Sequence, residues 1–442
     1  MALLDKRTLL SNTNDFGDFE TLTRYLAAGN SSITYVGKTI SAPRQNNLKP
    51  NTQYYFKANH TRGVDISGAT DEARGSCEDV AEVLSYFTLK AFRDKTSTPV
   101  LSCAPYDFGE MISKEFRLMI NRDTKGLVHS DRIYGCITQS ALEPGDHIIH
   151  GNQLLSRMFE GDYVYKSSNH TLSNYSQTIK TFEEQFNQTS STGLIKSPAC
   201  ERELANILFF DYFSYNTDRH CKNINFRLTQ PQNKQTVFLP MQLIDNGAAF
   251  SLQSINCYKK YEELSAQLNE EPKGKFTTCP FERSSDFSVG KECFANEEDR
   301  QIYDSLSHSE QLVLLMANNQ VLFNDFKNLF LNLDFREGFR QMYLNTNYNK
   351  KFLPNLQEIA CAGMEFRKQE ISESMAQYLN LEFDPNVYEE NPTYYLDCLE
   401  QHMQQNNVEN NTTLHIATNE EIKTFNETFL NQTQTAASEI NQ

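Results

Sequence analysis

The residues best suited to carry chemistry lie in one short stretch, Asn216-Thr217-Asp218-Arg219-His220, followed by Asn223 and, further on, by Asp245. A carboxylate, an amide and a second carboxylate in that order suit the transfer of a phosphoryl group. One carboxylate orients the acceptor hydroxyl, an Asn and an Asp hold magnesium against the phosphates, and a lysine steadied by a glutamate contacts them. Asp218 is the candidate base or hydroxyl-orienting group. Asn223 stands five residues after it, and Asp245 is followed by Asn246-Gly247, a turn-forming pair. Upstream, Lys57 closes the run Gln53-Tyr54-Tyr55-Phe56-Lys57. Glu78 opens the helical pattern that comes next and Glu82 stands one turn on, so either glutamate is placed to pair with Lys57.

These groups need elements that bring them together. Val80, Val83, Leu84 and Phe87 fall at helical spacing and predict a helix from Glu78 to about Phe92. Ile33–Val36 and Gln53–Lys57 read as strands, joined through the turn formers Asn46 to Asn51, and Pro99–Leu101 begins another. Leu204, Ile207, Leu208 and Tyr212 predict a helix from Ala199. After Asp218 the period changes: Ile224–Leu228 is a strand, Gln230–Asn233 a turn, and Val237–Ile244 a second strand ending at Asp245. That hairpin returns Asp245 to the side of Asn223. Residues 168–192 are polar and read as a loop or an exposed helix. The charged stretch from Tyr258 to about Asp299 contains Pro272, Gly274 and Pro280 and reads as irregular. Helices are expected from Ser309, with Leu312, Leu315 and Met316 on one face, and over Leu356–Tyr378. The Asn- and Gln-rich tail beyond Gln404 reads as weak helix or disorder.

The stretch Phe210-Asp211-Tyr212-Phe213-Ser214-Tyr215-Asn216-Thr217-Asp218-Arg219-His220-Cys221-Lys222-Asn223 resembles the catalytic loop of HipA-like serine/threonine kinases, which share an Asn-x-Asp-x-His-x-x-Asn pattern. Leu239-Pro240-Met241-Gln242-Leu243-Ile244-Asp245-Asn246-Gly247 is similar to their metal-binding segment. The Asp-Arg-His and Asp-x-Gly pieces also resemble phosphatidylinositol kinases, a more distant branch of the same fold. The strong match covers about residues 200–250, and a weaker one, 54–84, covers the Lys and Glu. The resemblance implies ATP and Mg2+ as cofactors, Asp218 as the catalytic Asp, Asn223 and Asp245 as magnesium ligands, and Lys57 as the ATP lysine with Glu78 beside it. Asn216 and His220 become scaffolding for the loop, and Arg219 receives no role. The departure is the phosphate-covering loop. Gly29-Asn30-Ser31-Ser32 has a single glycine, and Ser31 or Ser32 would be the first residue to test as the regulatory autophosphorylation site this loop carries in the family.

The expected architecture is α+β, a two-lobed protein-kinase-like fold with a mainly helical C-terminal lobe. Residues 1–110 form the β-rich N-terminal lobe, 111–350 the C-terminal catalytic lobe, and 351–442 a helical extension and polar tail, with the nucleotide between the lobes. Composition agrees with a packed protein: 39% of residues are hydrophobic and 12% aromatic. A net charge of −16 argues against nucleic acid as a direct partner, because neutralising a phosphate backbone needs clustered Lys and Arg. No run approaches the ~20 apolar residues of a membrane span, and the start lacks a signal-peptide core. The 10 Cys contain no Cys-x-x-Cys, so a cytoplasmic setting is expected. The partners expected are a protein substrate and an antitoxin-like regulator. The competing readings are a pseudokinase acting as an interaction module, and a kinase of small molecules or lipids.

Overall fold

The computed structural model describes residues 19–24, 33–43, 48–58, 78–96, 101–124, 132–140, 142, 145–230, 235–244, 246, 249–251, 258–269, 276, 286–346 and 355–430. Residues 29–32, Asp245, Gly247 and the side chain of Glu78 lie outside that description.

The N-terminal lobe is built on an antiparallel sheet of β1 (Phe19–Arg24), β2 (Ile33–Thr39), β3 (Gln53–Ala58), β4 (Tyr106–Ile112) and β5 (Arg132–Gln139) in the order β1-β2-β3-β5-β4. Helix α1 (Glu78–Thr96) connects β3 to β4, and α2 (Lys114–Thr124) connects β4 to β5. Alternation along β3 buries Tyr54, Phe56 and Ala58 and turns Lys57 to the opposite face. On the Phe56 side, Phe116 of α2 meets Tyr35 and Phe56 edge-on at 4.8 and 5.8 Å. That face has a small core of its own. The expected end of this lobe near residue 110 falls inside β4. The sheet runs on to Gln139 because β5 inserts between β3 and β4.

Helix α1 buries Val80, Val83, Leu84 and Phe87, the face its periodicity predicts, but in the larger C-terminal core. It packs on α10 (Phe335–Asn345), where Gly338 lies against Thr88. A Cβ at Gly338 would stand 2.1 Å from Thr88 Oγ1 and 3.1 Å from its Cα. Gly→Ala inside a helix ordinarily gains up to about 1 kcal/mol. Here overpacking reverses the sign: Gly338→Ala destabilises by about 1–3 kcal/mol in urea unfolding, and adding Thr88→Ala restores part of the loss.

The second sheet comprises β6 (His147–His150), β7 (Leu194–Lys196), β8 (Asn225–Thr229) and β9 (Thr236–Pro240) in the order β6-β8-β9-β7. The expected hairpin is present as β8 and β9, with Phe226 stacked on Phe238 at 5.0 Å. Its second strand stops at Pro240, where the ring removes a ladder donor. Around this sheet lie α3 (Gly151–Leu155), α4 (Leu172–Thr189) and α5 (Cys200–Ser214). The polar segment read as a loop or exposed helix is α4, and it buries Leu172, Tyr175, Ile179 and Phe182. The stretch expected to be irregular contains α6 (Tyr258–Asn269) and α7 (Glu297–Tyr303). Asn296 caps α7, and three acidic residues in its first turn complement the helix dipole. Then follow α8 (His308–Ala317), α9 (Gln320–Asn332), α10, α11 (Leu356–Tyr378, as expected), α12 (Pro385–Glu390), α13 (Tyr394–Gln405) and α14 (Asn419–Phe429). In the tail, a Thr418/Glu421 capping box starts α14, which buries Ile422 and Phe425. The chain is thus α+β in two lobes, and among the described residues no helix is long and apolar enough to cross a membrane.

Candidate active site

Helix α5 feeds the catalytic-loop candidate from the interior: all of its residues but Glu203 are buried. It ends where Tyr215 turns left-handed, φ 50°, which swings the chain out towards Asn216. Asp211, between Phe210 and Tyr212 in that apolar run, is a buried carboxylate and needs a partner. Arg219 supplies it, donating from Nε to Oδ2 at 2.9 Å and from Nη2 to Oδ1 at 3.0 Å. The guanidinium has no solvent exposure. Its other N–H groups reach Ile244 O at 2.8 Å, Asn223 O at 3.3 Å and Asn246 Oδ1 at 2.6 Å. Burial raises the Asp211 carboxyl above its ordinary value, while Arg219 and Asn216 act against that shift.

Asn216 links this pair to the loop. Its Nδ2 donates to Asp211 Oδ1 at 3.0 Å, and its Oδ1 accepts from the Asp218 N–H at 3.2 Å. The loop closes in a 3-10 turn, Cys221–Asn223, in which His220 O accepts from the Asn223 N–H at 2.9 Å. Asn223 Nδ2 donates to Asp218 O at 2.9 Å, an orientation that leaves Oδ1 as the acceptor end of the amide. His220 Nδ1 accepts from the Lys222 N–H at 3.2 Å, so Nε2 carries the proton of the neutral ring. Nε2 stands 3.9 Å from Asp218 Oδ1, and the Asp218 side chain is 38% exposed.

From the N-terminal lobe, Lys57 Nζ pairs with Glu82 Oε1. The partner is therefore Glu82, the second of the two candidates; Glu78 opens α1, but its side chain lies outside the described residues. Glu82 is fully buried and uses its second oxygen, Oε2, to accept from the Asn246 N–H at 2.8 Å. An unbroken polar relay results: Lys57 to Glu82, to Asn246, to Arg219, to Asp211, to Asn216, to the backbone of Asp218. A short parallel bridge adds to it, with Ala104 N–H donating to Leu243 O at 2.9 Å and Leu243 N–H to Ser102 O at 2.7 Å. Asn246 Nδ2 also faces Cys103 Sγ at 3.5 Å, a thiol that burial pushes well up. Asp245 itself is outside the described residues, but the residues on either side of it both bond Arg219.

No protein-family model and no curated protein matches the chain. Among solved structures it is similar to the crystal structure of a Helicobacter pylori proinflammatory kinase, CtkA. The TM-score is 0.42 and the identity 12%, over 79% of this chain and 95% of that one. An overlap that loose fixes neither the family nor the activity.

Among the described residues no group of three or more His, Cys, Asp and Glu could hold a metal ion. Magnesium carried on a nucleotide needs less: one or two protein oxygens beside the phosphates and waters. Asn223 Oδ1 is a hard oxygen of that kind, and Asp245, the sequence candidate for the carboxylate, lies outside the described residues. The structure brings Lys57, Asp218 and Asn223 into one bonded framework. Three members of that framework escape a reading of motifs, Arg219, Asp211 and Asn246. One signal does point to the first: a lone aspartate in Phe209-Phe210-Asp211-Tyr212-Phe213 demands a buried cation, and Arg219 is the first arginine after it.

Proposed function

We propose that this chain transfers the γ-phosphoryl group of ATP to a serine or threonine hydroxyl of a protein substrate, as a HipA-like kinase. The observation that carries the reading is the relay itself. A strand lysine paired with a glutamate on the following helix is the device that positions nucleotide phosphates in protein kinases. Here that pair is bonded through Asn246 and Arg219 to the loop bearing Asp218 and Asn223. Lys57 would contact the phosphates, Asp218 would orient the acceptor hydroxyl and take its proton, and Asn223 Oδ1 with Asp245 would hold magnesium. When bound, the metal neutralises charge on the phosphates. The protein's remaining contribution is position, held by the bonded relay from Lys57 to the Asp218 loop.

The test is incubation of the purified chain with γ-labelled ATP, Mg2+ and a cell lysate, followed by phosphoamino-acid analysis. Label is expected on serine or threonine of protein. Lys57→Met is expected to lower it about 100-fold or more, the scale of losing one preorganised electrostatic contact. Label confined to lipid or small molecules would move the acceptor, and absence of any Mg2+-dependent nucleotide binding would overturn the reading.

A further inference from the structure

The first sheet has a small core on its Phe56 side, while α1 and Tyr106 of β4 join the larger core, and a cavity opens where the two cores meet. It has a volume of about 280 Å3 and lies at the end of the first sheet, where β4 begins and β5 finishes, against the outer side of α1. Tyr54 of β3 and Ile137 of β5 bring walls from the small core. Phe87 of α1 and Tyr106 of β4 bring walls from the large one. The Lys57–Glu82 pair crosses the same seam. Tyr106 connects the two features: burial raises its phenol well above the ordinary value, with the Glu82 carboxylate adding to the shift and the Lys57 ammonium opposing it.

The lining specifies a ligand. Tyr54, Tyr86, Phe87 and Tyr106 offer ring faces and edges for a flat apolar body. Lys49 and Lys90 bring two ammonium groups against one carboxylate, Asp107, which already accepts the Phe108 N–H at 2.7 Å. The volume lies just under the roughly 300–1,000 Å3 of ordinary small-molecule pockets, room for one or two fused rings with a short acidic arm. We propose that this cavity binds a small aromatic anion and that its occupant holds the sheet carrying Lys57 against the helix carrying Glu82. The site stands on its own geometry; its effect on the nucleotide rests on the function proposed above.

The chain contains no tryptophan, so the emission of an indole probe is read without background. Indole-3-acetate, titrated into the full chain without nucleotide and followed by fluorescence anisotropy, is expected to bind saturably at one site. Tryptamine, the same ring with a cationic arm, is expected to bind at least about tenfold more weakly. Joint Lys49→Glu and Lys90→Glu substitution is expected to abolish the binding, and Lys291→Glu, remote from the cavity, to leave it intact. Non-saturable binding, equal affinity for tryptamine, or indifference to the double charge reversal would overturn the site. Saturating indole-3-acetate is further expected to tighten Mg2+·ATP at least about fivefold, with a reciprocal gain for the probe. Equal nucleotide affinity with and without the probe overturns the link to the Lys57–Glu82 pair. A chain that binds no nucleotide sinks the proposed function, while the nucleotide-free titration still decides the site.

Discussion

Asp218→Asn is expected to cut phosphoryl transfer to about a thousandth of the parent rate, within the 10²–10⁴ range of a positioned acid–base group, while folding and nucleotide binding stay as they were. The separation follows from which atoms of Asp218 do which work. Its backbone holds the loop: the N–H donates to Asn216 Oδ1 at 3.2 Å and the carbonyl accepts from Asn223 Nδ2 at 2.9 Å. Its carboxylate is 38% exposed and stands 3.9 Å from His220 Nε2, too far for a hydrogen bond. An amide of the same shape keeps both backbone bonds and loses the charge that the proposed mechanism uses to accept the hydroxyl proton. The unfolding free energy should move by no more than about 0.5 kcal/mol, as for other partly exposed sites. Single-turnover transfer, urea unfolding and a nucleotide titration on the same preparation check the three parts. Transfer above a tenth of the parent rate would remove Asp218 from the chemistry. Loss of folding along with activity would make it a structural residue instead.

The contrast with Asn223 sharpens this. Its side chain holds Asp218 O, so Asn223→Ala should disturb the loop as well as the proposed metal site, and the two residues should separate in their effects on KM for ATP and on kcat.

What the sequence makes legible is what local periodicity and turn chemistry control. The face of α1 that buries Val80, Val83, Leu84 and Phe87, and the β8–β9 hairpin, follow from spacing alone, because each is decided within one element. Which core α1 joins does not follow. Its partner, α10, is far along the chain, and the contact depends on Gly338 admitting Thr88, which periodicity does not register. The resemblance puts Glu78 beside Lys57, and spacing alone leaves Glu82 as its rival for the same reason. One helical turn separates them, and it is Glu82 that pairs with Lys57. The tail shows the opposite limit. Its composition reads as polar and weak, yet a single Thr418/Glu421 capping box with Ile422 and Phe425 on one face is enough to seat α14. Arg219 is the instructive omission. Motif comparison quotes it inside the Asp-Arg-His piece without a role, and its work is visible only in the bonds its buried guanidinium donates to Asp211, Ile244, Asn223 and Asn246.

That burial makes Arg219 the position with the largest expected effect on stability. Arg219→Met fills the space and removes every donor. It leaves the Asp211 carboxylate without its bidentate partner, Asn246 Oδ1 without the donor at 2.6 Å, and Ile244 O without the one at 2.8 Å. Breaking one side of a buried ion pair costs about 3–5 kcal/mol, mostly as the penalty of the stranded charge. If the stranded charge is the cause, the deficit must depend on pH, and the sign is fixed. Without the guanidinium, the carboxyl that burial already raises is raised further in the folded variant, while in the unfolded chain it keeps its ordinary value. The unfolded state then holds fewer protons than the folded one in the window between those two values. The penalty is complete above the folded value and disappears as the pH falls towards the unfolded one. Arg219→Met should therefore lie closest to the parent in acid and furthest from it at pH 8. Adding Asp211→Leu should recover part of the loss at pH 8 and flatten the difference, since it removes the stranded charge, while Asn246 Oδ1, Ile244 O and Asn216 Nδ2 stay without these partners. A deficit equal at pH 5 and pH 8, and unchanged by the second substitution, would mean that Arg219 acts through its neutral contacts alone. In that case the relay from Lys57 to the Asp218 loop would be held by hydrogen bonds to Asn246, Ile244 and Asn223, with no part for the ion pair.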